Sequence, residues 1–359
     1  MFDLKKGGRA SRRDFLKGAA AAGAGLSMPA IVSSSVLASS GEINIMMWSD
    51  YLPESFVSGF TDKTGIKTNV IFAKKGIEER IAAEGENSPA DLIFTVDIGR
   101  LTASVEKGVT QPVDNKTINA NIPSNLRDPN GNWFGLTTRV RVVMASRDRV
   151  KQDKITYEEL ADPKWKGKIC TRSGQHVYNI ALFASMIAHH GAEWTEKWLT
   201  DVKNNLARKP AGNDRAQAKG IYSGECDIAI ANHYYMAAMM TNEKNPEQKE
   251  WAKSVKILWP NNDSRGVHAN ISGMALAKNA PNKDNAVKLM EFLSSDQGQQ
   301  LYAQVNNEYP VKKGVKAGEI AESLGEFKVD GLSLQKIAEL RIQASELVDK
   351  VGYNDGPSS

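Results

Sequence analysis

Apolar positions in this chain follow two periods, and the switches between them mark out its elements. Short, dense apolar runs lie at Glu42 to Trp48, Lys67 to Phe72, Ala90 to Thr95, Leu136 to Ala145, Lys168 to Thr171 and Asp227 to Ala231. Most are too short for helices and rich in β-branched or aromatic residues, so they predict strands, several buried on both faces. Phe56 and Phe60 mark the apolar side of a helix that stops by Gly65, and Ile180 to Ala188 and Trp194 to Leu206 read as further helices. Val267 to Ala277 is another extended candidate, and Asp284 to Leu293 begins a helical tail. Strands that alternate with helices predict an α/β architecture. The order is met by two α/β lobes joined by two extended crossings, one near Thr138 to Val142 and one near Val267 to Ser272. We read lobe 1 as 41–139 with about 266–312, and lobe 2 as 140–265 with about 313–359. No internal repeat is visible.

Charge changes the picture only at the N-terminus. The 359 residues carry 46 basic and 42 acidic side chains, a net charge of +4. Residues 1–38 hold Lys5, Lys6, Arg9, Arg12, Arg13 and Lys17 against Asp3 and Asp14, so this segment accounts for the whole excess. The remainder is neutral, which removes the case for nucleic-acid binding, since a basic footprint would have to survive there. The segment reads Ser11-Arg12-Arg13-Asp14-Phe15-Leu16-Lys17, then an alanine-rich apolar run from Gly18 to Leu37 and small residues at Val36-Leu37-Ala38. It resembles a twin-arginine export signal, which implies the Tat export machinery as a partner, cleavage near Ala38 and a periplasmic mature protein. No later run approaches the roughly 18 apolar residues of a membrane span. Cys170 and Cys226 then lie in a disulfide-permissive compartment and are expected to form a structural bridge rather than a reactive or metal-binding pair.

Motifs of catalysis fail. A Walker loop, HExxH, GxSxG and GxGxxG are all absent. Ser104 to Lys107 fits SxxK and Lys63-Thr64-Gly65 fits KTG, but in the wrong order and with no SDN between them. The histidines His176, His189, His190, His233 and His268 make no familiar zinc spacing, and His189-His190 ends an apolar helix where it suits the helix dipole.

One constellation stands out. Asn232-His233-Tyr234-Tyr235-Met236 follows the apolar strand ending at Ala231. Neighbours in a strand face opposite ways, so the two phenols converge only if the pair lies in a loop or at a helix start. Strand ends are where α/β lobes commonly meet ligands. From local sequence alone, two partly buried tyrosines at an ordinary turn is the plainer account.

The surrounding text favours a site. Asn87-Ser88-Pro89-Ala90-Asp91, Thr95 to Leu101, Trp133 to Arg141, Arg172 to Asn179, Ala207 to Arg215, His233-Tyr234-Tyr235, His268 to Gly273 and Asn307-Glu308-Tyr309-Pro310 occur in order. Over these roughly 220 residues the chain resembles a periplasmic ferric-ion-binding protein of an ABC importer. The resemblance implies a two-lobed (type II, venus-flytrap) binding protein that is not an enzyme. It implies Fe(III) as the transported ligand, held in the interlobe cleft by tyrosinates at Tyr234, Tyr235 and Tyr178, with a fourth at Tyr51. Some members carry histidine where this chain has Asp50, which makes Asp50 a further oxygen candidate. Arg139 would lie behind the tyrosinates, balancing their charge or holding a synergistic anion such as carbonate. Arg141, on the same face by alternation, is expected in a solvent-facing or interlobe salt bridge. The implied partners are an inner-membrane permease and its ATPase, with the binding protein a monomer.

The chemistry agrees with the resemblance. Fe(III) is a hard cation suited to anionic oxygen. Ionising a phenol of pKa near 10 at neutral pH costs about 4 kcal/mol, which the metal charge must offset, and release becomes acid-sensitive. A competing likeness covers only about 20 residues. Trp48-Ser49-Asp50-Tyr51-Leu52-Pro53 with Thr64-Gly65-Ile66-Lys67 resembles the opening of polyamine-binding (spermidine/putrescine) periplasmic proteins, in which aromatic faces and carboxylates hold an alkylammonium.

Overall fold

The computed structural model describes residues 41–48, 54–73 and 76–357. The export segment 1–38 and the candidates Asp50 and Tyr51 lie outside the described residues, as does the side chain of Trp48. In chain order the strands are β1 (Glu42–Trp48), β2 (Lys67–Ala73), β3 (Leu92–Val96), β4 (Thr110–Gln111), β5 (Phe134–Ser146), β6 (Ile169–Cys170), β7 (Ile228–Asn232), β8 (Val255–Leu258), β9 (Ala269–Ala277) and β10 (Tyr309–Pro310).

The fold is a two-lobed α/β structure built on two sheets that share β5. In the first sheet β1 pairs in parallel with β2 and β3, β3 pairs antiparallel with β9, and β9 with the first half of β5. In the second, the other half of β5 pairs antiparallel with β7 and β8, and β6 runs parallel to β7. The switch falls between Val140, opposite Ala269 of the first sheet, and Arg141, opposite Asn232 of the second. The chain returns beside this point, where the Arg141 N–H donates to the His268 carbonyl at 3.0 Å. β3 and β7 are buried along their whole length, which explains their uninterrupted apolar sequence: helices cover both faces.

One apolar cluster, with Met46, Ile93, Val143 and Ile230, is common to both sheets, and each sheet carries further packing of its own. Ile43, Phe56, Phe60, Phe94, Met274 and Tyr302 pack around the first, with the Phe56 ring edge-on to Phe94 at 5.5 Å. Met144, Cys170, Cys226, Ala229 and Met239 pack on the second. Cys170 and Cys226 form the expected disulfide, Cα–Cα 5.8 Å, tying the end of β6 to the approach to β7. The helical tail ends in Leu334–Lys350, which lies against both Val177–His190 and Ile98–Glu106, where Arg341 pairs with Glu106. Among the described residues no helix is long and apolar enough to cross a membrane.

Candidate functional site

β7 ends at Asn232, and after His233 the chain turns at once into the short helix Tyr234–Met240. Tyr234 and Tyr235 are therefore its first two residues, which resolves the strand-alternation problem. Their rings stack at 4.5 Å with planes 30° apart, which neighbours on a pleated strand could not do. His233 fixes the turn. Its wholly buried ring accepts from the Val140 N–H at Nδ1 (3.3 Å) and presents Nε2 to the Asn307 carbonyl at 3.1 Å. Both ring nitrogens are thus used with the ring neutral, and burial pushes its pKa down to about 3.

Tyr178 arrives from the other side. It is the second residue of the helix Val177–His190, which His176 caps by accepting the Tyr178 N–H. The preceding loop is clamped by Asn179, whose Nδ2 donates to Thr171 Oγ1 and to the carbonyls of Arg172 and Ser173. The Tyr234 hydroxyl donates to that of Tyr178 at 3.2 Å, and Asn232 Nδ2 donates to the Tyr234 oxygen at 3.4 Å. Three of the four tyrosines expected from the sequence thus form one cluster. Tyr178 and Tyr234 are nearly buried, at 8% and 7% exposure, and Tyr235 is partly so. Burial pushes the Tyr235 phenol above its ordinary value, helped by Asp214 and Tyr178 and opposed by Arg172.

Three guanidinium groups surround the Tyr178 ring. Arg139, Arg141 and Arg172 lie 5.3, 5.8 and 5.1 Å from its centroid. Arg139 donates from Nη1 to the Tyr178 oxygen at 3.4 Å and from Nη2 to the Ile271 carbonyl and Ser272 Oγ at 2.7 and 3.0 Å. Arg172 hydrogen-bonds the Tyr235 side chain. Arg141 departs from expectation. It is 2% exposed and bonds Asp214 at 2.6 Å, Asn179 at 2.6 Å and Asn232 at 3.1 Å, all on the second-sheet side, so it makes neither a solvent-facing nor an interlobe salt bridge. A guanidinium on a strand with both faces covered has to find its counter-charge indoors. Burial would raise the Asp214 carboxyl, but Arg141 and Arg172 hold it below its ordinary value.

Behind this cluster, Asp97, Arg139, Arg141, Tyr178, His268 and Asn270 border a small cavity. Burial pushes Asp97 up to about 6, against the pull of Arg139. Its two oxygens accept from the Gly99 N–H and Asn270 Nδ2, both at 2.9 Å. Sequence reading missed the parts played by Asp214, Asn179 and Arg172. Two arginines in an apolar strand were the available signal, since each demands a buried acceptor. Among the described residues no three His, Cys, Asp or Glu side chains gather as a metal site.

The bacterial extracellular solute-binding protein family matches residues 87–326, and the twin-arginine translocation pathway signal sequence matches residues 10–29. The iron uptake protein A1 of Synechocystis is 43% identical over 315 residues, 87% of each chain. The ferric iron-binding protein A of Mannheimia haemolytica in an open conformation superposes with a TM-score of 0.83 at 47% identity, covering 88% of this chain and 99% of that one. A Trichodesmium protein in complex with iron and citrate ligands superposes at 0.82 with 42% identity, covering 87% and 99%.

Proposed function

The chain belongs to the bacterial extracellular solute-binding protein family, and on that premise we propose that it is the periplasmic component of an iron importer that binds Fe(III) through tyrosinates. The observation that carries this reading is the hydroxyl pair of Tyr178 and Tyr234, 3.2 Å apart, with Tyr235 stacked beside them. Two phenols that close share a proton easily, and a trivalent cation replaces such protons with a single charge that every oxygen can bind. Tyr51, with Asp50 beside it, would complete the oxygen set. Arg139 would offset tyrosinate charge or hold a small anion such as carbonate. The twin-arginine signal marks an exported, periplasmic protein; cleavage near Ala38 would give the mature chain.

Capture would be a hinge motion between lobes divided as 41–139 with about 266–312 and 140–265 with about 313–359. The sheet switch at Val140 and Arg141 supports that division. The ion would favour the closed form because it binds ligands from both lobes, Tyr51 from one and Tyr178, Tyr234 and Tyr235 from the other. A monomer would then deliver the iron to an inner-membrane permease driven by its ATPase. It binds and releases, and no bond of a substrate is made or broken.

A visible absorption titration of metal-free protein with chelated ferric iron tests this. The expected result is a tyrosinate-to-iron charge-transfer band and a raised melting temperature, since a ligand that binds only the folded state stabilises it. Tyr178→Phe, Tyr234→Phe and Tyr235→Phe should each weaken binding at least tenfold, with a fainter band. A colourless mixture with no thermal shift would overturn the iron reading, and tight spermidine binding without colour would put a polyamine in its place.

A further inference from the structure

We propose that Glu308 is a positioning residue of this site: it anchors Arg139 to the first sheet and sets how much positive charge that arginine presents to Tyr178. The inference rests on the iron reading and goes beyond it, to the group that tunes one of the tyrosinates. Glu308 follows the helix Asp296–Asn306, whose C-cap Asn307 takes a left-handed conformation (φ 58°) that turns the chain sharply before β10. The carboxylate that results is completely buried.

Its oxygens are all engaged toward the site. Oε2 accepts from Thr137 Oγ1 at 2.5 Å and from Ser272 Oγ at 2.7 Å, and Oε1 lies 3.9 Å from Arg139 Nε. Ser272 Oγ in turn accepts from Arg139 Nη2 at 3.0 Å, and Arg139 Nη1 donates to the Tyr178 oxygen. Glu308 therefore reaches Tyr178 by two routes, a direct Coulombic pair with Arg139 and a relay through one hydroxyl. The residues belong to different parts of the fold: Thr137 and Arg139 to β5, Ser272 to β9, Glu308 to the turn before β10, and Tyr178 to a helix against the second sheet. Burying a carboxylate is expensive unless it is paired and hydrogen-bonded, as Glu308 is. The pairing has an electrical consequence. A negative charge behind Arg139 cancels part of the field that its guanidinium would otherwise exert on the Tyr178 oxygen, and in a buried setting such fields are weakly screened.

The position of the iron charge-transfer band reads that field directly, because the transition moves an electron from the phenolate to the metal. Positive charge near the phenolate lowers its filled orbital and raises the transition energy. Glu308→Gln removes this compensating charge and should move the band to shorter wavelength, whereas Arg139→Gln removes the cation and should move it to longer wavelength. Glu308→Asp keeps the charge and should stay close to wild type. Ser272→Ala cuts the relay without removing the buried charge, so it serves if Glu308→Gln fails to fold, and should give a smaller shift to shorter wavelength. A residue with a merely structural role would change iron affinity and leave the band where it was. An unshifted band in Glu308→Gln, or in Ser272→Ala should it be the one that folds, overturns the inference while wild-type colour keeps the iron reading intact. A wild-type protein with no band removes both.

Discussion

Asp214 shows how much the site depends on side chains that need never touch a ligand. It is fully buried and accepts from Arg141 at 2.6 Å, Arg172 at 3.0 Å and the Asn232 N–H at 2.8 Å. Those three partners stand behind Tyr178, Tyr235 and Tyr234 respectively, so one carboxylate sets the backs of three phenols. Asp214→Ala would strand the buried Arg141 guanidinium and the partly buried one of Arg172, and breaking a buried ion pair from one side costs about 3–5 kcal/mol. Urea unfolding of the metal-free variant should show a loss of that size, and a loss below about 1 kcal/mol, the level of an exposed pair, would refute the role. The Tyr234-Tyr235 pair stood out because it is a local signal inside a long family-like text, while the place of Tyr178 beside it rested on the resemblance alone. The Asp214 pairing was not legible: its partner Arg141 lies 73 residues away, and no local pattern records which acid meets which arginine.

At the scale of elements, β5 is the part that makes two sheets into one site, since it carries Arg139 in the first sheet and Arg141 in the second. Tyr157 staples it to the returning chain. The Tyr157 hydroxyl donates to the Arg141 carbonyl at 2.5 Å and accepts from the His268 N–H at 3.1 Å, at the place where both passages run between the sheets. Tyr157→Phe keeps the ring and leaves the carbonyl without this donor and the N–H without this acceptor. Each buried group so stranded costs about 1–3 kcal/mol. Hydrogen exchange should quicken at His268, while the amides of β3 stay protected; equal protection at His268 in variant and wild type would rule the staple out. Seven of the ten described strands were readable to within about two residues, Glu42–Trp48 without any shift, and β3 and β7 most plainly, because burial on both faces writes a continuous apolar run; β4, β8 and β10, short or lacking such a run, were not read as strands. The C-terminal helix Leu334–Lys350 was only implied as tail. Its apolar positions Leu334, Ile337, Ala338, Leu347 and Val348 announce a helix face, yet nothing in them says that the face will meet helices from both sheets.

For the molecule as a whole, the net charge of +4 belongs to residues 1–38, and what remains is balanced. A neutral protein does not steer a cation over long distances, so on the proposed iron reading attraction would come from convergent oxygens at the site. Acid then acts on the fold through a few buried groups. Burial pushes His176, His233 and His268 each down to about 3 from an ordinary 6.5, so between those values the folded protein binds fewer protons than the unfolded chain. Stability from these imidazoles is complete above pH 6.5 and drains away as pH falls toward 3. Asp97 works in the opposite sense. Its folded value of about 6 exceeds the ordinary 3.8, so it favours the folded state below pH 3.8 and that advantage is lost as pH rises through 6. Each group contributes about 1.4 kcal/mol per pH unit inside its window, and three imidazoles outweigh one carboxyl. Metal-free protein should therefore lose up to roughly 3 kcal/mol per pH unit between pH 6 and 4. Chemical denaturation across that range measures the slope, and His268→Gln should reduce it by the share of one imidazole. A flat or rising stability on acidification would mean that these rings are protonated in the folded state, against the burial that encloses them.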